Sequence, residues 1–266
     1  MNDITSAFHE YFEIVIANTQ ALKNEVFSLR YQVLCIHEGI PGFQADNYPD
    51  GQEKDEYDDY SIHLLLRHRS SNSFIGTTRL IMANDLNISQ KFPMELYSQF
   101  YKEYVNIQIL RKHTTEISRF IIRSDFFKRK EDSRFLDDNN LMGDYAKGRR
   151  RFPHPMLALA VGVIQLCAKN DIYYWLSSMN PALNRLLNFY GMQFDPIGPL
   201  VNHHGLRRPY YVCLLDVLER MYTNHREIWE LVTDNGRIWP AKLEHLKIIS
   251  APRQDKPNTD ISIMTC

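Results

Sequence analysis

Cysteine is scarce and poorly spaced for any structural role. The 266-residue chain has four, Cys35, Cys167, Cys213 and Cys266, with no C-x-x-C pair. That spacing speaks against a zinc site or a disulfide framework and reads as reduced thiols. Net charge is also nearly absent, at −1. The whole chain therefore has no pull toward nucleic acid, and any charged partner must be met by a local patch. Long apolar runs are missing too. The longest, "MLALAVGVIQLCA", falls short of the roughly 18 residues of a spanning helix and reads as a buried one. The N-terminus shows no basic-then-apolar leader, and there is no internal repeat or low-complexity segment. These absences lead us to expect a cytoplasmic protein with no metal site, no transmembrane segment and no nucleic-acid partner.

Core-forming residues are plentiful. Hydrophobic residues make up 44% and charged residues 24%, which is the balance of a globular domain. "YFEIVIAN" (Tyr11–Asn18) reads as a first strand. In "TQALKNEVFSLRYQVL", Leu22, Val26, Leu29 and Val33 form a helical stripe. Arg30 sits at the edge of that stripe, where a guanidinium needs a partner. "SIHLLLRH" and "FIGTTRLIMA" read as a hairpin, "TTEISRFIIR" (Thr114–Arg123) as a fourth strand, Pro155–Asn170 as a long apolar helix and "IYYWLSSM" (Ile172–Met179) as a fifth strand. "NPALNRLLNFYG" predicts a short helix with Asn180 as N-cap and Gly191 as its stop. Two strands around "NHHG" and a C-terminal helix from Leu218 complete the order β-α-β-β-β-α-β-α-β-β, a mixed sheet with helices on both faces. We expect one domain over residues 1–217 and a helical extension with a loose tail over 218–266.

Between residues 45 and 59 stand seven acidic side chains and one lysine. Charge runs of this kind usually face water. Half-buried arginines at positions 30, 79 and 119 would nonetheless need counter-charges. Asp55, Asp58 and Glu116 are the expected supply, while Asp46, Asp50, Glu53, Glu56 and Asp59 are expected to be solvated.

Taken in order, "LRYQV", "EKDEYD", "GTTRLI" and "EISRF" resemble the GNAT acyltransferase fold. More narrowly they resemble the branch of acyl-homoserine lactone synthases and N-acyl amino acid synthases. The fuller wording, "NP.LNRLL" and "GPLV.HHG.R.P" included, looks closest to acyltransferases associated with exosortase (PEP-CTERM) systems. The resemblance spans Glu13 to Asp216. It implies a mixed, mostly antiparallel sheet whose fourth and fifth strands splay apart around an acyl-pantetheine arm. Phe120, Ile121, Ile122, Trp175 and Ser177 would line that slot. Glu116, Arg30, Arg79 and Arg119 would be the catalytic group, with Glu116 either the general base or an ion-pair member. A bulge is expected between Glu116 and Arg119, because residues three apart on a regular strand face opposite ways. Asp55, Asp58, His203 and His204 would line an acceptor pocket.

Leu34 and Ile40 stand where lactone synthases carry aromatics, which argues against a lactone product. "DFFKRKEDSRF" follows the fourth strand without a glycine. The nucleotide-cradling loop of coenzyme A enzymes is therefore missing, and acyl carrier protein fits better as donor. Lys128, Arg129, Lys130, Arg149, Arg150 and Arg151 form a candidate docking patch for that acidic partner. The function implied is transfer of a long-chain acyl group from acyl carrier protein to the amine of an amino acid or similar small molecule. No cofactor would be permanently bound, and membrane contact would be limited to a lipid product. An acyl-coenzyme A enzyme of the same fold and a non-catalytic module binding acyl chains or carrier protein remain as alternatives.

Overall fold

A computed structural model of the chain describes residues 3–84, 86–102, 110–126 and 154–239. The proposed docking residues Lys128, Arg129, Lys130, Arg149, Arg150 and Arg151 lie outside this range, as does the tail beyond Trp239.

The helices are α1 (Asp3–Tyr11), α2 (Gln20–Tyr31), α3 (Pro93–Tyr97), α4 (Pro155–Lys169), α5 (Pro181–Asn188), α6 (Leu214–Asn224) and α7 (Arg226–Thr233). The strands are β1 (Phe12–Ile16), β2 (Ser61–His68), β3 (Ser73–Ile81), β4 (Thr114–Ile122), β5 (Tyr174–Met179), β6 (Asp195–Pro196), β7 (Val201–Asn202) and β8 (Leu206–Cys213). The sheet has the order β1-β2-β3-β4-β5-β8-β6, with β7 paired to β8. β4 and β5 run parallel. The β1–β2, β5–β8, β6–β8 and β7–β8 pairs are antiparallel. This is a mixed α/β architecture with an open sheet, as the order of elements predicts. No helix among the described residues is long and apolar enough to cross a membrane.

Contacts divide the chain into two units. The first comprises residues 1–54, 63–78 and 119–162. Its core gathers Val26, Phe27 and Leu29 of α2 with Val33, Leu34, Phe43, Leu65 and Ile121. The expected stripe is thus the buried face of α2, and Thr19 caps the helix by accepting from Leu22 N at 3.3 Å. Past Tyr31 the helix widens into a π turn over Gln32–His37. That wider turn shifts the register of the last residues, a feature common near functional sites.

The second unit comprises residues 55–62, 79–118 and 163–266. One of its clusters holds Tyr57, Ile81, Phe92, Met94, Leu176 and Ile197. Elsewhere in this unit the indole of Trp175 donates to Cys167 Sγ at 3.1 Å. The single C-terminal helix expected from Leu218 is two helices, broken at His225. Cys35 and Cys167 are free thiols. Cys213 is disulfide-bonded, so the reading of reduced thiols stands for Cys35 and Cys167 and is corrected for Cys213.

Two details of β4 matter for function. Its ladder with β5 holds Thr114↔Tyr174, Thr115↔Trp175 and Glu116↔Leu176 and ends there, although β5 stays paired with β8 as far as Met179↔Arg208. Beside the end of the ladder, Ser177 Oγ donates to the Ile117 carbonyl at 3.1 Å. Further along, Arg119 takes a φ of 51°. A left-handed residue inside a strand breaks the two-residue alternation and is costly for a side chain with a Cβ. The sequence reading expects a bulge between Glu116 and Arg119; what the strand shows is a left-handed residue at Arg119 itself.

Candidate functional site

In the first unit, Arg30, Glu53 and Arg119 form a buried triad. Arg30 and Glu53 are both 0% exposed at their side chains. Arg30 Nε donates to Glu53 Oε2. Arg119 grips the same carboxylate, Nη2 to Oε1 at 2.9 Å and Nε to Oε2 at 3.1 Å. The loop carrying Glu53 is tied to α2 by Glu53 N donating to the Phe27 carbonyl at 3.1 Å. Aromatic faces back both guanidiniums: Phe27 lies 5.4 Å from Arg30 and Phe43 4.8 Å from Arg119. Burial would push the Glu53 carboxyl up, but the adjacent charges of Arg30 and Arg119 and their hydrogen bonds hold it down at about 2. Burial and the Glu53 charge push the neighbouring Cys35 thiol and Tyr48 phenol up. Cys35 is therefore poorly suited to act as a thiolate nucleophile.

Glu53 is a correction. The sequence reading placed it in water with Asp46, Asp50, Glu56 and Asp59. Those four are exposed, whereas Glu53 is buried. Spacing gave no signal that separates Glu53 from the acids beside it, since Asp55, Asp58 and Glu116 already matched the three arginines in number.

In the second unit, Arg79 is 2% exposed and meets two carboxylates, Asp55 at 2.5 Å and Asp58 at 2.6 Å, both through Nη1. Its Nη2 adds a bond to Asp55 Oδ2 at 2.8 Å, and its Nε donates to Ser118 Oγ at 2.8 Å. The acids are held by their own turn. Asp55 caps the 3₁₀ turn Glu56–Tyr60 by accepting from Tyr57 N at 3.0 Å, and Asp58 Oδ2 accepts from Asp55 N at 2.8 Å. Burial opposes the charge on Arg79, but the two carboxylates more than reverse this and push its pKa further up. The expected locking of Asp55 and Asp58 onto an arginine is thus observed at Arg79, while Arg30 and Arg119 converge on Glu53. Asp58→Ala should cost about 2 kcal/mol, because it removes a charged hydrogen bond from a buried guanidinium that keeps Asp55. A urea melt checks this, and an unchanged midpoint would refute it.

Glu116, 4% exposed, lies level with Leu176 of β5, which is itself level with Tyr211 of β8. Its Oε2 accepts from Met94 N at 2.8 Å. Met94 is in the first turn of α3, so the carboxylate also serves one of the helix's otherwise unbonded N–H groups. Sequence reasoning missed α3 altogether. Pro93 at its start, with Glu95 Oε2 accepting from Phe92 N at 2.7 Å, was the readable signal.

His203 and His204 occupy the β7–β8 turn, where His203 N donates to the Gly205 carbonyl at 3.0 Å. The His203 ring stacks on Tyr97 of α3 at 4.5 Å. Of the expected slot residues, Ile121, Ile122, Trp175 and Ser177 are buried and Phe120 is half-buried. No three His, Cys, Asp or Glu gather as metal ligands among the described residues.

Residues 29–135 match the family of acetyltransferase (GNAT) domains. The fold is GNAT-like. It is similar to that of TofI, solved in a ternary complex with an inhibitor and MTA, with a TM-score of 0.52 and 14% identity over 77% of this chain and 91% of that one. It is also similar to that of BjaI, a CoA-dependent acyl-homoserine lactone synthase solved with MTA, with a TM-score of 0.50 and 18% identity over 87% of this chain and 90% of that one. FeeM, an N-acyl amino acid synthase from uncultured soil microbes, aligns with a TM-score of 0.44 and 14% identity over 79% of this chain and 95% of that one. A search of curated proteins gives no match. The GNAT match ends at residue 135, so it covers the Arg30–Glu53–Arg119 triad, the Arg79 cluster and Glu116, but neither β5 nor β8.

Proposed function

We propose that this chain is an N-acyltransferase. It moves a long-chain acyl group from the phosphopantetheine thioester of acyl carrier protein to the amine of an amino acid or similar small acceptor. One observation carries the reading: a buried carboxylate, Glu116, stands at the point where the β4–β5 ladder ends. Past that point, Ile117–Ser118 and Ser177–Ser178 offer backbone groups to an extended arm, which can add itself to the sheet as a strand does. The GNAT domain match and the fold support the class of chemistry.

In this reading the acceptor amine attacks the thioester carbonyl carbon. Its proton passes to Glu116, directly or through one water. A backbone N–H at the ladder's end steadies the oxyanion. Collapse of the tetrahedral intermediate breaks the C–S bond, the thiolate leaves and takes up a proton, and an amide remains. The arginine–carboxylate clusters hold the surrounding loops in place, and Asp55, 29% exposed at its side chain, is the most exposed acid of those clusters and the one open to the acceptor's ammonium. Acyl carrier protein is preferred over coenzyme A because no glycine-rich loop follows β4.

The test is product identification. Purified protein incubated with long-chain acyl carrier protein and a panel of amino acids should yield N-acyl products by mass spectrometry, with less from acyl-coenzyme A. Turnover with acetyl-coenzyme A alone would replace this reading with that of an acetyltransferase. Carrier protein binding without any product would make it a binding module.

A further inference from the structure

Large hydrophobic side chains stand in water around the β7–β8 hairpin. Leu96 and Tyr97 of α3 are each 52% exposed, Leu200 just before β7 is 45% exposed, and Leu206 at the start of β8 is 62% exposed. Contacts within the second unit hold these residues together. The Tyr97 ring lies flat on the His203 ring, with centroids 4.5 Å apart and 8° between the planes, and His203 meets His204 at 4.1 Å. Tyr101 N donates to the Ile197 carbonyl at 2.9 Å. A Cβ on Gly198 would stand 1.9 Å from the Gln99 carbonyl oxygen, so the chain after α3 presses against the chain before β7. The hairpin tip stands clear. His204 and Gly205 turn it with φ of 53° and 94°, and a Cβ on Gly205 would meet nothing within 4 Å. Arg207 Nε stiffens the tip by donating to the His203 and His204 carbonyls at 3.2 and 3.3 Å.

The same two segments are positive. Residues 96–102 and 200–208 include Lys102, Arg207 and Arg208 and no Asp or Glu. The acid that adjoins them, Glu95, is bridged to Arg111 at 2.9 Å, and Asp195 lies level with Tyr211, away from the tip. In a chain of net charge −1 this is a local positive field. Exposed leucine is penalised by water, and large hydrophobics gathered on a surface mark an interaction site. Leucine and tyrosine ringed by arginine and lysine suit a lipid–water boundary. The aromatic rings sit at head-group level, the leucines reach the acyl chains and the cations meet lipid phosphates. A narrow tip that stands clear fits a soft bilayer better than the matched, closely packed face of a folded partner. We propose that the β7–β8 hairpin and the exposed side of α3 dock on an anionic phospholipid bilayer. Binding here needs no turnover and is independent of the acyl-transfer reading; under that reading, the surface is where a long-chain product leaves for the membrane.

The test is co-sedimentation of the full-length protein with phosphatidylcholine vesicles and with vesicles of phosphatidylcholine and phosphatidylglycerol. The anionic mixture should bind roughly tenfold or more tightly, and added salt should weaken that binding. Leu96→Ser and Leu206→Ser together should lower binding to the mixture by about tenfold or more. Lys102→Glu, also at an exposed position, should lower it by about tenfold through charge alone, with urea midpoints unchanged in both proteins. Tyr97→Trp should show fluorescence quenching by brominated acyl chains, whereas Trp175, Trp229 and Trp239 are buried and should not respond. Failure to sediment with either vesicle, sedimentation that both sets of substitutions leave intact, or no quenching in Tyr97→Trp would each overturn the surface. Loss of acyl carrier protein binding in the leucine variant, with vesicles bound by neither protein, would make the patch a protein interface and overturn the lipid assignment.

Discussion

Glu53→Gln should destabilise the protein by about 3–5 kcal/mol, the usual cost of stripping one partner from a buried ion pair. The glutamine nearly matches the shape of Glu53, so lost packing contributes little. What changes is charge: Arg30, 0% exposed, and Arg119 would face each other across a neutral amide. Glu53→Asp, which keeps the charge but shortens the reach, should cost less. The same carboxylate predicts an acid limb. Its folded pKa of about 2 lies well below the ordinary glutamate value of 4.5. A depressed carboxylate contributes stability that is complete above the unfolded value and is lost as pH falls toward the folded one. The wild type should therefore lose about 3 kcal/mol between pH 4.5 and 2 from this group, and Glu53→Gln should show a flatter limb over that window. Urea melts at several pH values measure both. Parallel acid limbs in the two proteins, or a midpoint unmoved at neutral pH, would show that the triad carries little of the fold's stability.

How much of this was legible beforehand depends on the kind of signal. The buried stripe of α2, the N-cap Asn180 and the βαβ step from β4 through α4 to β5 follow from periodicity and local chemistry, and they stand as read. The need of Arg30, Arg79 and Arg119 for carboxylates was also legible, because an arginine at the margin of an apolar stripe cannot stay unpaired. Which carboxylate serves which arginine was not. Pairing is a property of tertiary distance, and Glu53, Asp55 and Asp58 are too close in sequence for spacing to separate them. Arg119 shows the same limit. A break in strand alternation could be argued from Glu116 and Arg119 being three apart, but its form, a left-handed arginine, is dictated by what the side chain reaches. α1 had a readable Ile4–Phe8–Phe12 stripe, and both it and α3 were missed because short segments bury only a few side chains.

Glu116→Gln should lower the rate of N-acyl transfer by about 10²–10⁴-fold, the usual contribution of a positioned general base, and leave the fold intact. The amide can still accept from Met94 N, so the first turn of α3 keeps its partner. This separates the two roles of the side chain. If Glu116 acts only as the anchor of α3, then Gln should be nearly silent in turnover, while Glu116→Ala should loosen α3 and lower the melting temperature. If it is the base, Gln and Ala should both abolish product, and only Ala should cost stability, by about 1–3 kcal/mol for the hydrogen bond left unmade. The pH profile gives a further separation. A base held as a carboxylate makes kcat/KM fall on the acid side with one proton, and the Gln variant should lose that limb along with its rate. An acid limb that persists in the variant at wild-type rate would assign proton removal to another group, and the end of the β4–β5 ladder would then be a binding feature alone.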